Sequence, residues 1–462
     1  MQTAKLAFRN LLRNRRRTLS TLGAIVVGAV GILLFGGYNR SIEYSLQTAF
    51  VRDIGHLQIQ HEDYLRNGMG NPAEYSIRDY QKIMDTIAHD PVLASMTKVS
   101  TPVLLVSGIA GKYSTGVAHP ALIYGCDEAG RAQLDRWDEY RLGAQLKTRK
   151  TLDKNPDSAL IGAGLARLLQ LGEFVNDPQY GSSTKQSDKV SESIPDDIRV
   201  LAQAAQQARP PDKGTRIELL AASTGGVPNI VRVQVDGVAP QAARELDDSF
   251  VGIHLQRAQQ LLFGQDTPGV TAIILQLHKT AQLEAARSRL QHVLATSHVG
   301  ERLAIYDFAQ LQPTYGQVLG MFSDLFDFLL ALILGIALFT VSNAMGVAVL
   351  ERTVEIGTLR AVGLKRWDIQ RLFLNEGVLL GVIGSVIGVA AALILANVIN
   401  VSGLTWQPPG VIAPVPLRIA VWGEWWMIAR VVGILLAATV FSSWWPARRA
   451  ANVSVVEALR HR

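Results

Sequence analysis

Four apolar runs of membrane-spanning length punctuate the chain, and one long stretch of mixed pattern separates the first two. The pattern predicts helix 1 over 18–38, helix 2 over 321–350, helix 3 over 375–399 and helix 4 over 425–445. About 20 apolar residues are needed to cross a bilayer core. The fourth run carries its own ruler. Trp425 and Trp426 stand at one end, Trp444 and Trp445 at the other. About 18 residues at ~1.5 Å rise give about 27 Å, and indole rings favour the two interfaces. Arg430, one turn inside, is read as snorkelling outward. The first run follows Lys5, Arg9, Arg13, Arg15, Arg16 and Arg17. A basic flank before an apolar run can be a signal peptide, but this run is long. Phe35-Gly36-Gly37-Tyr38 also offers no small-x-small cleavage site, so we read an uncleaved anchor.

Between the first two spans, residues 39–320 mix strand and helix signals. Candidate strands are His56–Gln60, Val103–Val106, Ala121–Tyr124, Arg216–Ala221, Val231–Val235 and Thr271–Leu277. Val231, Val233 and Val235 alternate with Arg232 and Gln234, as a half-buried strand requires. Candidate helices are Ile77–His89, Leu160–Leu169 and Thr280–Thr296. The expected fold is therefore an α-helical membrane protein with four transmembrane helices. A large extracytoplasmic α+β domain with an inserted, strand-rich subdomain separates helices 1 and 2. Residues 176–213 are polar and end in Pro210-Pro211, which predicts an exposed insertion without a packed core.

Charge orients the spans. The net charge of +6 invites a nucleic-acid partner, but the basic residues cluster beside the apolar runs, which excludes that reading. The tail 1–17 holds six of them, and the loop 351–374 holds Arg352, Arg360, Lys365, Arg366 and Arg371. The tail 446–462 holds Arg448, Arg449, Arg460 and Arg462, whereas the loop 400–424 holds only Arg418. Both termini and 351–374 are thus expected in the cytoplasm, with 39–320 periplasmic and the spans in the inner membrane. Cys126 is the only cysteine, so no disulfide can form within the chain. The segment Leu122-Ile123-Tyr124-Gly125-Cys126 resembles a lipoprotein box, but its distance from the N-terminus makes it a strand and turn.

Catalytic chemistry is not visible. Ala110-Gly111-Lys112-Tyr113-Ser114 fails as a phosphate loop, because Tyr113 stands where Ser or Thr must reach magnesium and Val106 where the first glycine belongs. His56 and His61 lie five apart on a strand and its end, which is no metal pair. No nucleophile elbow or metalloprotease helix occurs. We expect no catalytic residues, no metal and no cofactor on these residues. The spans carry packing signals instead. Gly377, Gly381, Gly384 and Gly388 fall on one face of helix 3, where small residues admit a neighbouring helix. Asn343 in helix 2 could bridge helices by hydrogen bonding. After helix 2, residues 351–363 form a short amphipathic helix closed by Gly363. By pattern alone it could lie on the membrane surface or dock a partner.

Asn343 followed by Glu351-Arg352-Thr353-x-Glu355-Ile356-Gly357-x-x-Arg360-Ala361-x-Gly363 resembles the signature of FtsX/MacB/LolC-type ABC transporter permeases. Glu376-Gly377, the glycines of helix 3, Pro446-Ala447-Arg448-Arg449-Ala450-Ala451 and Val456-Glu457-Ala458-Leu459-Arg460 extend the resemblance. It is specific across 320–462 and weak across 39–320, where Gly55-His56-Leu57-Gln58-Ile59 and Ile161-Gly162-x-Gly164-Leu165-Ala166 carry it. The resemblance implies that 351–363 is a coupling helix seated in a cytoplasmic ABC ATPase, with Glu355 and Arg360 in charged contacts and Gly357 allowing close approach. It also implies a pair of permease subunits, identical or different, with two ATPase subunits that bind ATP and magnesium. The lipoprotein-releasing branch is most similar, which implies lipoprotein or another lipidated cargo and possible periplasmic adaptors. MacB-like efflux and FtsX-like signalling to an envelope hydrolase are the alternatives.

Overall fold

The structure, a computed structural model, describes residues 9, 13, 15–68, 70–112, 116–142, 150–172, 215–224, 226–241, 243–296, 302–406 and 415–453. The insertion expected at 176–213 lies outside the described residues, as do most of 1–14 and all of 454–462. The chain divides into two compact units. One comprises Met1–Ser45, Thr314–Trp406 and Pro416–Arg462, the other Leu46–Pro313 and Gln407–Val415.

Helix α1 spans Arg15–Ile54, well past the expected end at 38. Nothing between Tyr38 and Ile54 breaks it, since neither Gly nor Pro occurs there. It stops at Gly55, which adopts φ +74°. A Cβ at Gly55 would meet Ile274 and lie 2.8 Å from the Leu275 carbonyl oxygen. Only glycine turns the chain here without strain. The last turns of α1 belong to the second unit and are anchored there. Gln276 donates to the Val51 carbonyl at 3.2 Å, and Arg52 donates to the Trp137 carbonyl at 2.7 Å.

Among the described residues the second unit holds nine strands: β1 (Leu57–His61), β2 (Thr97–Lys112), β3 (Val117–Cys126), β4 (Ser158–Ile161), β5 (Thr215–Ala222), β6 (Pro228–Val238), β7 (Phe250–His254), β8 (Ala272–Leu277) and β9 (Leu303–Asp307). Their order is β3-β7-β4-β6-β5-β2-β8-β1-β9, and β3 also pairs with β2. Six strands therefore close into a ring, while β8, β1 and β9 continue from β2 as an open sheet. The pairs β3–β7 and β4–β6 are parallel. Helices α2 (Tyr80–His89), α3 (Pro91–Met96), α4 (Glu128–Leu134), α5 (Ala163–Leu168), α6 (Leu255–Phe263) and α7 (Leu283–Thr296) accompany the strands. Ile83, Ile87, Leu93 and Leu290 of α2, α3 and α7 share a core with Leu57, Ile59, Ile273 and Leu275 of the open sheet. The ring has its own core, in which Val106, Ile123, Ile217 and Ile253 meet Leu261 and Leu262 of α6.

The helix expected over 160–169 is in part a strand. Residues 158–161 are β4, and α5 starts only at Ala163. The carboxylate of buried Asp247 accepts from Ala163 N at 3.0 Å and Gly164 N at 2.7 Å. A cap from more than eighty residues away sets this helix start, so no local signal marks it.

The first unit contains α1 up to Ser45 with α8 (Pro313–Glu351), α9 (Thr353–Ala361), α10 (Arg366–Ser402) and α11 (Trp425–Ala451). Among the described residues four helices, α1, α8, α10 and α11, are long and apolar enough to cross a membrane. Between α10 and α11, Thr405–Trp406 (β10) and Val415–Pro416 (β11) form a two-stranded ladder.

His56 marks the point where the large domain begins. Leu277 N donates to its Nδ1 at 3.0 Å, so the proton sits on Nε2, which faces Thr280 Oγ1 at 3.2 Å. Thr280 in turn donates to Glu139 at 3.0 Å. Trp137 and Phe308 close edge-on around the ring. Burial pushes the His56 pKa from 6.5 down to about 3. Below about pH 6.5 the unfolded chain takes up a proton that the folded one refuses. Stability should therefore fall with pH, by up to about 1.4 kcal/mol per unit, until about pH 3. Thermal unfolding of the purified chain at pH 7 and pH 5 should show a smaller drop for His56→Gln than for the wild type. Superimposable pH profiles would mean that the imidazole is not buried.

Candidate functional site

The site is the turn of chain that joins α8 to α10. Helix α8 ends at Glu351, and Arg352 (φ −112°, ψ 16°) breaks the helical path before α9 begins. At the other end Gly363 adopts φ +108°. Its N–H donates to the Arg360 carbonyl at 3.1 Å and that of Leu364 to the Leu359 carbonyl at 3.1 Å, closing the helix. Asp368 then accepts from Lys365 N at 3.2 Å and starts α10. A nine-residue helix is marginal by itself, so its place must come from tertiary contacts.

Those contacts are ionic and apolar. Arg352 is only 7% exposed and donates to Glu376 of α10, itself 2% exposed, at 2.9 Å. The same guanidinium donates to Glu355 at 3.1 Å, and Arg13 reaches the same Glu355 oxygen at 2.9 Å. Burial works against the Glu355 charge, but the hydrogen bonds from Arg352 and Arg13 outweigh it and hold the carboxyl below its usual range. Arg352 is likewise disfavoured by burial and then stabilised by Glu376, so it stays charged. Arg360 donates to the Val453 carbonyl just beyond α11. Ile356 packs into one cluster with Met345, Val349, Ile369, Phe373 and Ala447.

These contacts sort the sequence-predicted residues by face. Arg352, Ile356 and Gly357 are buried, and Glu355 and Arg360 are half-buried. Gly357 therefore lies inside and not on the outer face. Glu351, Ala361 and Gly363 are exposed. The outer face of α9 is Val354, Thr358, Ala361 and Val362, followed by Trp367, with Val362 at 83% exposure. Pattern reading missed Glu376 and Arg13 as partners of this helix. Glu376 stood in the motif resemblance, but no spacing rule joins it to Arg352.

The glycines of α10 face two different helices. A Cβ at Gly377 or Gly381 would collide with Ser443 or Thr439 of α11. At Gly384 it would come within 2.6 Å of Ile25, and at Gly388 within 2.5 Å of Ala29, both on α1. Asn343 is exposed on α8, away from this packing. Among the described residues no group of His, Cys, Asp and Glu could hold a metal ion.

Residues 328–455 match the family model described as FtsX-like permease C-terminal. Over 229 residues the chain is 26% identical to an uncharacterized ABC transporter permease of Methanocaldococcus jannaschii, covering 50% of this chain and 55% of that one. It is 33% identical over 133 residues to the macrolide export ATP-binding/permease protein MacB of Escherichia coli, covering 29% and 21%. It is 26% identical over 161 residues to the lipoprotein-releasing system transmembrane protein LolC of Haemophilus influenzae, covering 34% and 38%. The matched stretches span about half or less of these relatives' own length. The crystal structure of the periplasmic region of MacB from Actinobacillus actinomycetemcomitans aligns with a TM-score of 0.31 at 13% identity, covering 57% of this chain and 94% of that one.

The buried pair Arg352–Glu376 and the more exposed pair Arg13–Glu355 should differ in weight. Removing one partner of a buried pair costs about 3–5 kcal/mol, whereas an exposed pair contributes about 0.2–1 kcal/mol. Glu376→Leu should lower the melting temperature of the purified chain far more than Arg13→Ala. Equal, small shifts would mean that Arg352 is not held by Glu376.

Proposed function

Residues 328–455 of this chain match the FtsX-like permease C-terminal family, and from that match we propose that the chain is the membrane permease unit of an ABC transporter driven by a separate ATPase. One observation carries the reading: α9 is locked to the bundle on one side and bears an apolar outer face on the other. A helix held this firmly can transmit a push. Its outer residues, Val354, Thr358 and Val362, seat in a cleft of the ATPase, while Arg352, Glu355 and Arg360 hold the helix from behind. ATP and magnesium belong to the ATPase. Closure of an ATPase pair moves α9 and with it α8 and α10, which α9 joins. Helix α1 contributes residues to both units without a break and offers a covalent path to the large domain.

In this reading both termini and α9 are cytoplasmic, the large domain is periplasmic and the spans lie in the inner membrane, as the Lys and Arg distribution supports. The cargo is a lipoprotein or another lipidated molecule released on the periplasmic side, which the similarity to LolC favours. Efflux of a periplasmic substrate is the second reading, because MacB matches at 33% identity. Identifying what co-purifies with the detergent-extracted complex separates the two.

Two outcomes test the proposal. Val354→Glu and Val362→Glu place a charge on the outer face without touching the inner contacts. Each should cut capture of the ATPase roughly tenfold or more while the chain inserts normally, since desolvating an unpaired charge costs a few kcal/mol. Wild-type capture in both variants would refute docking through this face. The orientation is checked by thiol labelling in a Cys126→Ala background. Val227→Cys, exposed on the large domain, should react with an impermeant reagent in spheroplasts, and Thr358→Cys should not. The reverse pattern would overturn the topology.

A further inference from the structure

Four strands of the ring bring apolar side chains together on its outer face. Strand pairing sets Ile109 of β2 opposite Pro120 of β3 and Leu220 of β5, and Leu220 opposite Ile230 of β6. Their neighbours Ala110, Ala121, Leu219 and Val231 belong to the ring core, so by alternation the row faces away from that core. Ile109 is 43% exposed and Ile230 61%. Val227, at the turn between β5 and β6, is exposed as well, and so are Ala222 and Pro228. An apolar row of this kind, on a domain outside the spans, points to a protein contact.

The row ends at an open strand edge. Strand β6 pairs with β5 from Pro228 to Val235 but with β4 only from Gln234 to Val238. Gln234 N donates to the Asp157 carbonyl at 2.7 Å, on the side that β4 occupies. Backbone groups alternate in direction along an antiparallel strand, so those of Ile230 and Arg232 point to the same side. Among the described residues no strand pairs with them there. Their N–H and C=O groups therefore stand open at the end of the apolar row. Natural edges are commonly blunted by a charge, a proline or a bulge. Here Pro228 and Arg232 flank the position, and Ile230 between them is bare. The Arg232 guanidinium meets Glu218 of β5 at 2.9 Å and remains largely exposed, which leaves it room for a second carboxylate.

We propose that the edge of β6 at Ile230 and Arg232 binds an extended segment of a different, extracytoplasmic protein as one more strand. The open backbone groups select an extended chain, because only that conformation matches their spacing. The side chains select its sequence. An apolar residue opposite Ile230 lengthens the row Pro120–Ile109–Leu220–Ile230 by one strand, and a carboxylate two residues along meets Arg232. The inference rests on the reading that the large domain is periplasmic, and it names the kind of partner that domain receives.

Peptide binding to the purified full chain tests it. The probe is a fluorescent synthetic peptide of alternating valine and threonine in which one valine is replaced by glutamate. It should bind the wild-type chain and slow hydrogen exchange at the Ile230 and Arg232 amides but not at Val231. N-methylation of every second peptide amide should abolish binding in one of the two registers and spare it in the other. Ile230→Thr, which keeps a strand-forming residue, should weaken binding about threefold to fivefold. Arg232→Glu should weaken it similarly and should favour the same peptide with lysine in place of glutamate. Leu168→Thr, at an exposed position elsewhere on the large domain, should change nothing. No binding, or equal binding in both N-methylated registers, would overturn the proposal without relying on any variant. A photo-cross-linker placed at Ile230 in native membranes separates the occupants. Cross-links to a second copy, or to residues 176–213 of the same chain, would also overturn it. Labelling of Val227→Cys reports separately on topology. Expected labelling without peptide binding would sink the edge site alone, and peptide binding with reversed labelling would sink the periplasmic reading and with it the extracytoplasmic partner.

Discussion

The end of the bundle where α8 turns toward α10 is organised around a charge pair that neither partner could tolerate alone. Arg352 and Glu376 are both nearly sealed from solvent, and the pair joins the break after α8 to the start of α10. Burying one such charge without the other would cost several kcal/mol. The chain reversal between the two spans is therefore defined as much by electrostatics as by turn chemistry. Glu355 reads off the same guanidinium, so the pair also fixes the rotation of α9 about its axis. With that rotation fixed, Ile356 and Gly357 turn inward and Val354 and Val362 outward.

The apolar stripes, the strands and the turn helix were legible in the sequence because each follows a local period. The six strands read from alternation all fall within or beside observed ones, from Leu57–His61 to Ala272–Leu277. The errors lie where distant residues decide. Asp247 sets the start of α5 from another part of the chain, and the 160–169 window alone reads as helix. Strands β7 and β9 were missed because their neighbours supply most of the order: β7 pairs in parallel with β3, and β9 covers β1. The site followed the same division. Motif resemblance named the residues of α9, but which side each one faces depends on Glu376 and Arg13. Neither sits at a helical spacing from Arg352.

The glycine stripe of α10 shows how one periodic signal can serve two contacts. Its N-terminal half, Gly377 and Gly381, meets Thr439 and Ser443, whose hydroxyls are already bonded to their own helix. Its C-terminal half, Gly384 and Gly388, meets Ile25 and Ala29 of α1. A single straight face thus passes from one neighbour to the next, which requires α1 and α11 to cross α10 at different heights. Close backbone approach replaces the hydrophobic drive that lipid removes.

Strand β2 has a wider consequence. At sixteen residues it is long enough to serve both the closed ring, through β3 and β5, and the open sheet, through β8. The two cores have no apolar side chain of β2 in common, yet they share its backbone. Melting the ring would strip β8 of a neighbour, and fraying the open sheet would loosen one wall of the ring. Subdomains strung together like beads can open one at a time. Two subdomains woven through one strand must exchange their amide protons as a single cooperative block.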